Sequence, residues 1–153
     1  MNIEIKLKIN GVEKQLSVSP KETLVNVLRD RLGLVGTHKD CEMGICGACT
    51  VLLEGCPVSS CLLLAVQADG SAITTIEGME RDGKLNRIQE AFLRHGAVQC
   101  GYCTPGFIMT ATALLEENPK PGRAKITEAL RGNICRCTGY TKIIDAIESV
   151  ANS

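Results

Sequence analysis

The chain has 153 residues, of which 44% are hydrophobic, 22% charged and only 3% aromatic. That length predicts one or two compact domains whose cores must be filled largely by aliphatic side chains. Seventeen basic residues balance seventeen acidic ones, so nothing favours nucleic acid or an anionic membrane as partner. No apolar run approaches the roughly 20 residues of a membrane helix.

The chain begins MNIEIKLKIN, where charge alternates with aliphatics. It lacks the apolar centre of a signal peptide, and a cytoplasmic location is expected. Ile3, Ile5, Leu7 and Ile9 share one face at period two, predicting a half-buried strand. Asn10-Gly11 is a hairpin signal because both residues tolerate positive φ, with Val12 to Val18 as the return strand. From about Thr23 the period changes. Leu24, Val27, Leu28 and Leu32 share a helical face, and Gly33 offers a stop. Residues 33–49 are rich in glycine and cysteine and read as a loop. TVLLE (50–54), VSSCLLL (58–64) and AITTI (72–76) read as further strands, making this half a small α+β domain.

After Gly78 the pattern turns helical. Leu85, Ile88, Ala91, Phe92 and His95 recur at helical spacing. Thr104-Pro105 predicts an N-cap and first residue for a helix running to about Glu117. The stretch NPKPGR breaks that helix. Residues 126–131 predict a short helix, and Tyr140 to Val150 another, with Ile143, Ile144, Ile147 and Val150 facing inward. The boundary between a 1–78 domain and a 79–153 domain falls in TTIEGMERDG.

Nine cysteines are many for this length, and an odd number resists complete pairing. In a cytoplasmic chain, clustered cysteines point to metal or catalysis before disulfides. Cys41, Cys46 and Cys49 are spaced C-x4-C-x2-C, with Cys61 twelve residues on. This is the spacing of plant-type ferredoxins, whose thiolates hold a [2Fe–2S] cluster. Three sulfurs from one loop can converge only if the loop folds back sharply. Gly44 and Gly47 permit that and leave N–H groups free for the sulfurs. The fourth ligand is expected from a neighbouring strand. Cys56, before a proline in an apparent turn, falls outside the pattern and is read as a non-ligand.

Cys100 and Cys103 form a C-x2-C unit, and Cys135 and Cys137 a C-x-C unit. Both lie where helices are expected to begin, and helix N-termini stabilise thiolates. Four sulfurs also suit a structural zinc ion, although zinc loops favour paired C-x2-C units. Taken alone, this half leaves zinc and iron–sulfur both open; beside a ferredoxin-like loop, iron–sulfur is favoured. The alternatives are a free-standing two-cluster ferredoxin and a structural zinc module. The chain shows no G-x-G-x-x-G nucleotide loop, no phosphate P-loop and no acid–base pair, so no catalytic residue is expected in it.

GTHKDCEMGICGACTVLLEG, VSSCL, GAVQCGYCTPGFIM and GNICRCTGYTKII together resemble the iron–sulfur subunit of the molybdenum hydroxylases, the xanthine dehydrogenase family. The resemblance spans nearly the whole chain. It implies a β-grasp [2Fe–2S] ferredoxin-like domain followed by a four-helix-bundle [2Fe–2S] domain. It implies Cys41, Cys46, Cys49 and Cys61 as ligands of the first cluster, and Cys100, Cys103, Cys135 and Cys137 of the second. It further implies that Gln99 contacts the pterin and that Cys137 lies beside it. Electrons would pass singly between a molybdenum–pterin centre on a large subunit and FAD on a medium subunit. The assembly would be a hetero-oligomer, in one form a dimer of heterotrimers. One departure is Asp40, where the family usually has glycine; aspartate tolerates left-handed backbone, and its charge could lower the cluster potential. Met43 and Ile45 would shield the cluster or face a partner, and Arg136 would offset charge or meet a partner. His38 reads as a loop residue and His95 as a helix C-terminal charge.

Overall fold

The computed structural model describes residues 1–153. Strands β1 (Ile3–Ile9) and β2 (Val12–Val18) form the expected antiparallel hairpin. Its turn residues have φ of 50° at Asn10 and 83° at Gly11, the two-residue loop that matches strand twist. Ile5, Leu7 and Ile9 are buried, whereas Ile3 at the strand's outer end is exposed.

The first helix is shorter and less regular than the periodicity implies. Helix α1 covers only Leu24–Asn26 and continues as a π-helical turn over Val27–Arg31. The wider turn closes with Leu32 N–H donating to the Val27 carbonyl at 3.1 Å. Gly33, at φ 68°, then lets Leu34 N–H reach the Leu28 carbonyl at 2.9 Å, satisfying carbonyls that a helix end leaves open.

Strands β3 (Thr50–Leu53), β4 (Cys56–Ser59) and β5 (Ala72–Thr74) complete a mixed five-stranded sheet in the order β2-β1-β5-β3-β4. β5 runs parallel to β1, and the remaining neighbours are antiparallel. The expected 58–64 strand is corrected to Cys56–Ser59. Glu54-Gly55, at φ 50° and 81°, supplies a tight two-residue hairpin turn, so pairing resumes at Cys56 opposite Leu53. Leu62 N–H then donates to the Ser59 carbonyl at 3.0 Å and turns the chain out of the sheet.

Beyond the sheet come α2 (Arg87–Arg94), α3 (Thr104–Glu117), α4 (Arg123–Ala129) and α5 (Thr141–Ala151). α2 starts at a capping box: Asn86 Oδ1 accepts from the N–H groups of Ile88 and Gln89, and Gln89 Oε1 accepts from Asn86 N–H, all at 2.9 Å. The short fourth helix begins three residues before the predicted 126 and ends in a 3-10 turn, Leu130–Gly132. At α3 the cap is Cys103 rather than Thr104, which is the first helical residue.

Two separate cores result. Ile5, Leu7, Leu24, Leu28 and Ile73 fill the space between sheet and α1. Phe92, Phe107, Ile126, Ile143 and Ile147 fill the helical half. α3 belongs to both environments, since it packs on α2 and α4 and also against β3. This double burial explains why its sequence, TPGFIMTATALLEE, shows little amphipathic patterning.

Candidate metal centres

The 41–49 loop wraps around a single sulfur. Glu42, Gly44 and Gly47 adopt φ of 54°, 72° and 71°, aiming successive N–H groups inward. Met43, Ile45 and Cys46 each donate N–H to Cys41 Sγ at 3.4 Å. These donors, Met43 first, hold the Cys41 thiol down at about 7. Asp40 is exposed and does not adopt the left-handed backbone that its place in the loop suggests; that conformation falls on Glu42.

Cys49 and Cys61 are buried behind this loop against Val25 of α1. Burial above all, with Cys49 adjacent, pushes the Cys61 thiol up to about 11. Ser60 fixes the pair in place: its Oγ donates to the Cys49 carbonyl at 2.6 Å, and its own carbonyl accepts from Val25 N–H at 3.1 Å. Cys61 therefore comes from the turn after β4, not from a strand. Cys56 opens the edge strand β4, fully outside this group.

In the helical half, Cys103 caps α3 and Cys135 and Cys137 lie in the loop before α5. The expected stabilisation of a thiolate by the α3 N-terminus is overridden at Cys103. Burial, followed by contact with Cys135, pushes that thiol up to about 12. Cys135 goes the other way. Burial would raise it, but the hydroxyl and N–H of Thr138, at 3.1 and 3.3 Å from Sγ, leave it lowered.

The sulfurs of each set are neighbours: Cys46 is beside Cys41, Cys49 beside Cys61 and Cys135 beside Cys103, with Cys41 also acting on Cys61 and Cys100 on Cys103. Cys137 Sγ lies 3.6 Å from Cys100 Sγ. That is far beyond the ~2.05 Å of a disulfide, and all nine cysteines are free. No three Cys, His, Asp or Glu side chains gather around one ion-sized point. A tetrahedral zinc site requires four donors around a single centre. Four neighbouring thiols per set supply the four thiolates that a [2Fe–2S] cluster takes, so the donor chemistry fits such a cluster in each half.

Two family models cover the chain. Residues 7–74 match the "2Fe-2S iron-sulfur cluster binding domain" and residues 75–148 the "[2Fe-2S] binding domain". The small subunit of nicotine 6-hydroxylase from Paenarthrobacter nicotinovorans is 50% identical over 145 residues, covering 95% of this chain and 87% of its own. The iron–sulfur-binding subunit of xanthine dehydrogenase from Escherichia coli O157:H7 is 46% identical over 148 residues, covering 95% and 92%. Among solved structures, quinoline 2-oxidoreductase from Pseudomonas putida 86 aligns with a TM-score of 0.95 at 49% identity, covering 98% of this chain and 93% of that one.

The chain belongs to the iron–sulfur subunit family of the molybdenum hydroxylases. It carries two [2Fe–2S] domains and is the electron-transfer subunit of an oxidoreductase. No helix is long and apolar enough to cross a membrane.

In this family member the two cysteine sets meet along a tight seam. Ile134 N–H donates to the Cys46 carbonyl at 2.9 Å. Buried Asn133 donates through Nδ2 to the Gly47 carbonyl at 3.2 Å and accepts from Thr110 Oγ1 at 2.9 Å. A Cβ on Gly106 would overlap the Gly47 carbonyl, and one on Gly47 would overlap that of Gly132. Only glycine at both positions lets α3 and the 132–134 segment approach the first loop so closely.

A second bridge lies on the surface. His38 stacks on Tyr102, ring centroids 4.4 Å apart, and its Nδ1 lies 2.5 Å from the Tyr102 carbonyl oxygen. Tyr102 Oη donates to the Lys39 carbonyl at 2.7 Å. His38 is thus a contact between halves, a role beyond that of a loop residue. Sequence separations of 63 and 64 residues hide this bridge from local pattern reading. Thr138, by contrast, carries a readable signal, a hydroxyl residue just past a cysteine in a turn. Gln99 and Arg136 are exposed, and His95 is the C-cap of α2.

Proposed function

We propose that this chain relays electrons one at a time between a molybdenum–pterin centre on a large subunit and FAD on a medium subunit. The observation that carries the reading is the joining of two four-cysteine sets by the Ile134 N–H to Cys46 carbonyl hydrogen bond. Each cluster supplies one-electron chemistry when bound; the protein supplies ligands, spacing and electrostatics.

In this reading Cys41, Cys46, Cys49 and Cys61 hold the first cluster, and Cys100, Cys103, Cys135 and Cys137 the second. The pairwise sulfur contacts support both sets. Residues 1–78 form a β-grasp domain and 79–153 a four-helix bundle, supported by the two separate cores. The exposed Cys137 and Gln99 face the pterin of the large subunit. At the opposite loop, Met43, Ile45 and Leu62 are 65%, 56% and 59% exposed. An apolar group of this kind beside the first cluster fits burial against the flavin subunit. The complex is a hetero-oligomer, arranged as a dimer of heterotrimers, and works in the cytoplasm.

Iron analysis and electron paramagnetic resonance test the reading. Four irons per chain and two reduced-cluster signals are expected. Cys46→Ser should remove one signal and Cys103→Ser the other; a colourless, zinc-containing protein would overturn the assignment.

A further inference from the structure

Cys135 differs from every other cysteine in what reaches its sulfur. Cys41 Sγ accepts three backbone N–H groups, all at 3.4 Å, and has the Cys46 thiol beside it, but no hydroxyl. Cys135 Sγ has Thr138 N at 3.3 Å and, closer still, Thr138 Oγ1 at 3.1 Å. This is the one side-chain hydroxyl that reaches any cysteine sulfur in the molecule.

The direction of that hydroxyl is set by its surroundings. Tyr140 N–H donates to Thr138 Oγ1 at 3.3 Å. With the oxygen already accepting, the single hydroxyl proton is left to point at sulfur. Tyr140 can donate this way because it holds φ at 72°, a costly conformation outside glycine. Two contacts hold it there: its Oη accepts from Cys135 N–H at 3.1 Å, and its ring packs on Phe107 with centroids 6.2 Å apart. Thr138, Tyr140 and Cys135 therefore form a closed hydrogen-bonded turn.

We propose that Thr138 is a positioning residue whose hydroxyl raises the reduction potential of the second cluster selectively over the first. The inference rests on the reading of Cys135 as a ligand of that cluster. Reduction adds one electron and no proton, so negative charge on the cluster and its sulfurs grows. A donor aimed at one of those sulfurs stabilises the more charged, reduced form, while its own proton stays on Oγ1. In an electron relay the effect makes the second cluster a better acceptor.

The test is a potentiometric titration of both cluster signals in the iron-loaded protein within its complex. Thr138→Val should lower the reduced-to-oxidised ratio of the second cluster about tenfold at fixed potential, a shift of about 59 mV for one electron. The first signal should stay in place, and Thr138→Ser should restore the wild-type value. Unmoved signals in a valine variant holding four irons, or equal shifts in both, would overturn the proposal. If valine costs the second cluster its iron, Thr138→Ala and Thr138→Ser are compared instead; equal potentials in those two would sink the idea. Failure of the underlying reading looks different: the wild type itself would show fewer than two signals or about two irons.

Discussion

The backbone N–H of Ile134 donates to the carbonyl of Cys46 at 2.9 Å, joining residues 88 positions apart that each adjoin or belong to a cysteine set. The chain between them builds the rest of the sheet and most of the helical half, so this hydrogen bond exists only in the assembled fold. It gives the two cysteine sets a direct backbone connection.

Ile134→Pro removes the donor while Asn133 already holds the extended backbone, φ −120° and ψ 125°, that a residue before proline prefers. Leaving the Cys46 carbonyl unpaired should cost about 1–3 kcal/mol. Urea unfolding of the loaded protein should show the loss. The spin–spin interaction between the two reduced clusters should weaken as the seam loosens.

Gly106→Ala separates helix propensity from packing. In an open helix, alanine gains roughly 0.5–1 kcal/mol over glycine. Here its Cβ would meet the Gly47 carbonyl of the first cysteine loop. The substitution should therefore lower the melting temperature. It should also perturb the signal of the cluster proposed for the first loop, although residue 106 lies in the helix capped by Cys103.

The surface bridge should matter less. Tyr102→Phe keeps the stack on His38 but loses the bond to the Lys39 carbonyl. About 0.5–1.5 kcal/mol is expected for one such hydrogen bond, toward the lower end at an exposed site. His38→Ala keeps that bond but removes both the stack and the Nδ1 contact with the Tyr102 carbonyl, and should destabilise further. Denaturant midpoints of the two variants, compared with the wild type, check the order.

Thiol protonation predicts how the metal-free protein responds to alkali. Burial holds Cys61 at about 11 and Cys103 at about 12, above the ordinary thiol value of 9.0. Groups raised by folding favour the folded state while neutral. Their contribution is complete below pH 9 and is lost as pH rises through 11 to 12. The metal-free protein should lose stability across that window. If Cys61 and Cys103 are iron ligands, as proposed, the loaded protein holds them already deprotonated and should not share this loss. Thermal melts of both forms at pH 8 and pH 10.5 make the comparison, and loading at neutral pH should release protons.

Met43→Asp places a charge in the exposed apolar group at the first cysteine loop. Burying an unpaired carboxylate at an interface is costly. Retention of the flavin subunit during purification should fall, with both cluster signals unchanged. Undiminished retention would place the flavin subunit elsewhere.

Much of this molecule is legible in local sequence because local chemistry decides it. The β1–β2 hairpin follows from alternation and Asn10-Gly11, and the cysteine loop from C-x4-C-x2-C with two glycines. Boundaries drift where a tertiary contact competes. β4 starts at Cys56 because Glu54-Gly55 makes the tighter turn, and α1 widens into a π-turn as it closes over the sheet core. The thiol pattern shows the same split. Proximity to a helix start predicted stabilised thiolates, yet burial dominates at Cys103 and donor geometry at Cys135.

The sequence by itself determined the residue types, their spacing and the two-part organisation, since spacing sets which sulfurs one turn can gather and periodicity sets which faces seek a core. Only the tertiary structure decided that Ser60 fixes Cys49 and Cys61 against Val25, and that Gly47, Gly106 and Asn133 seal the two cysteine sets together. The Asn133 contact with Gly47 joins residues 86 positions apart in the chain. Close approach of that kind depends on how two finished cores pack, which local patterning does not encode.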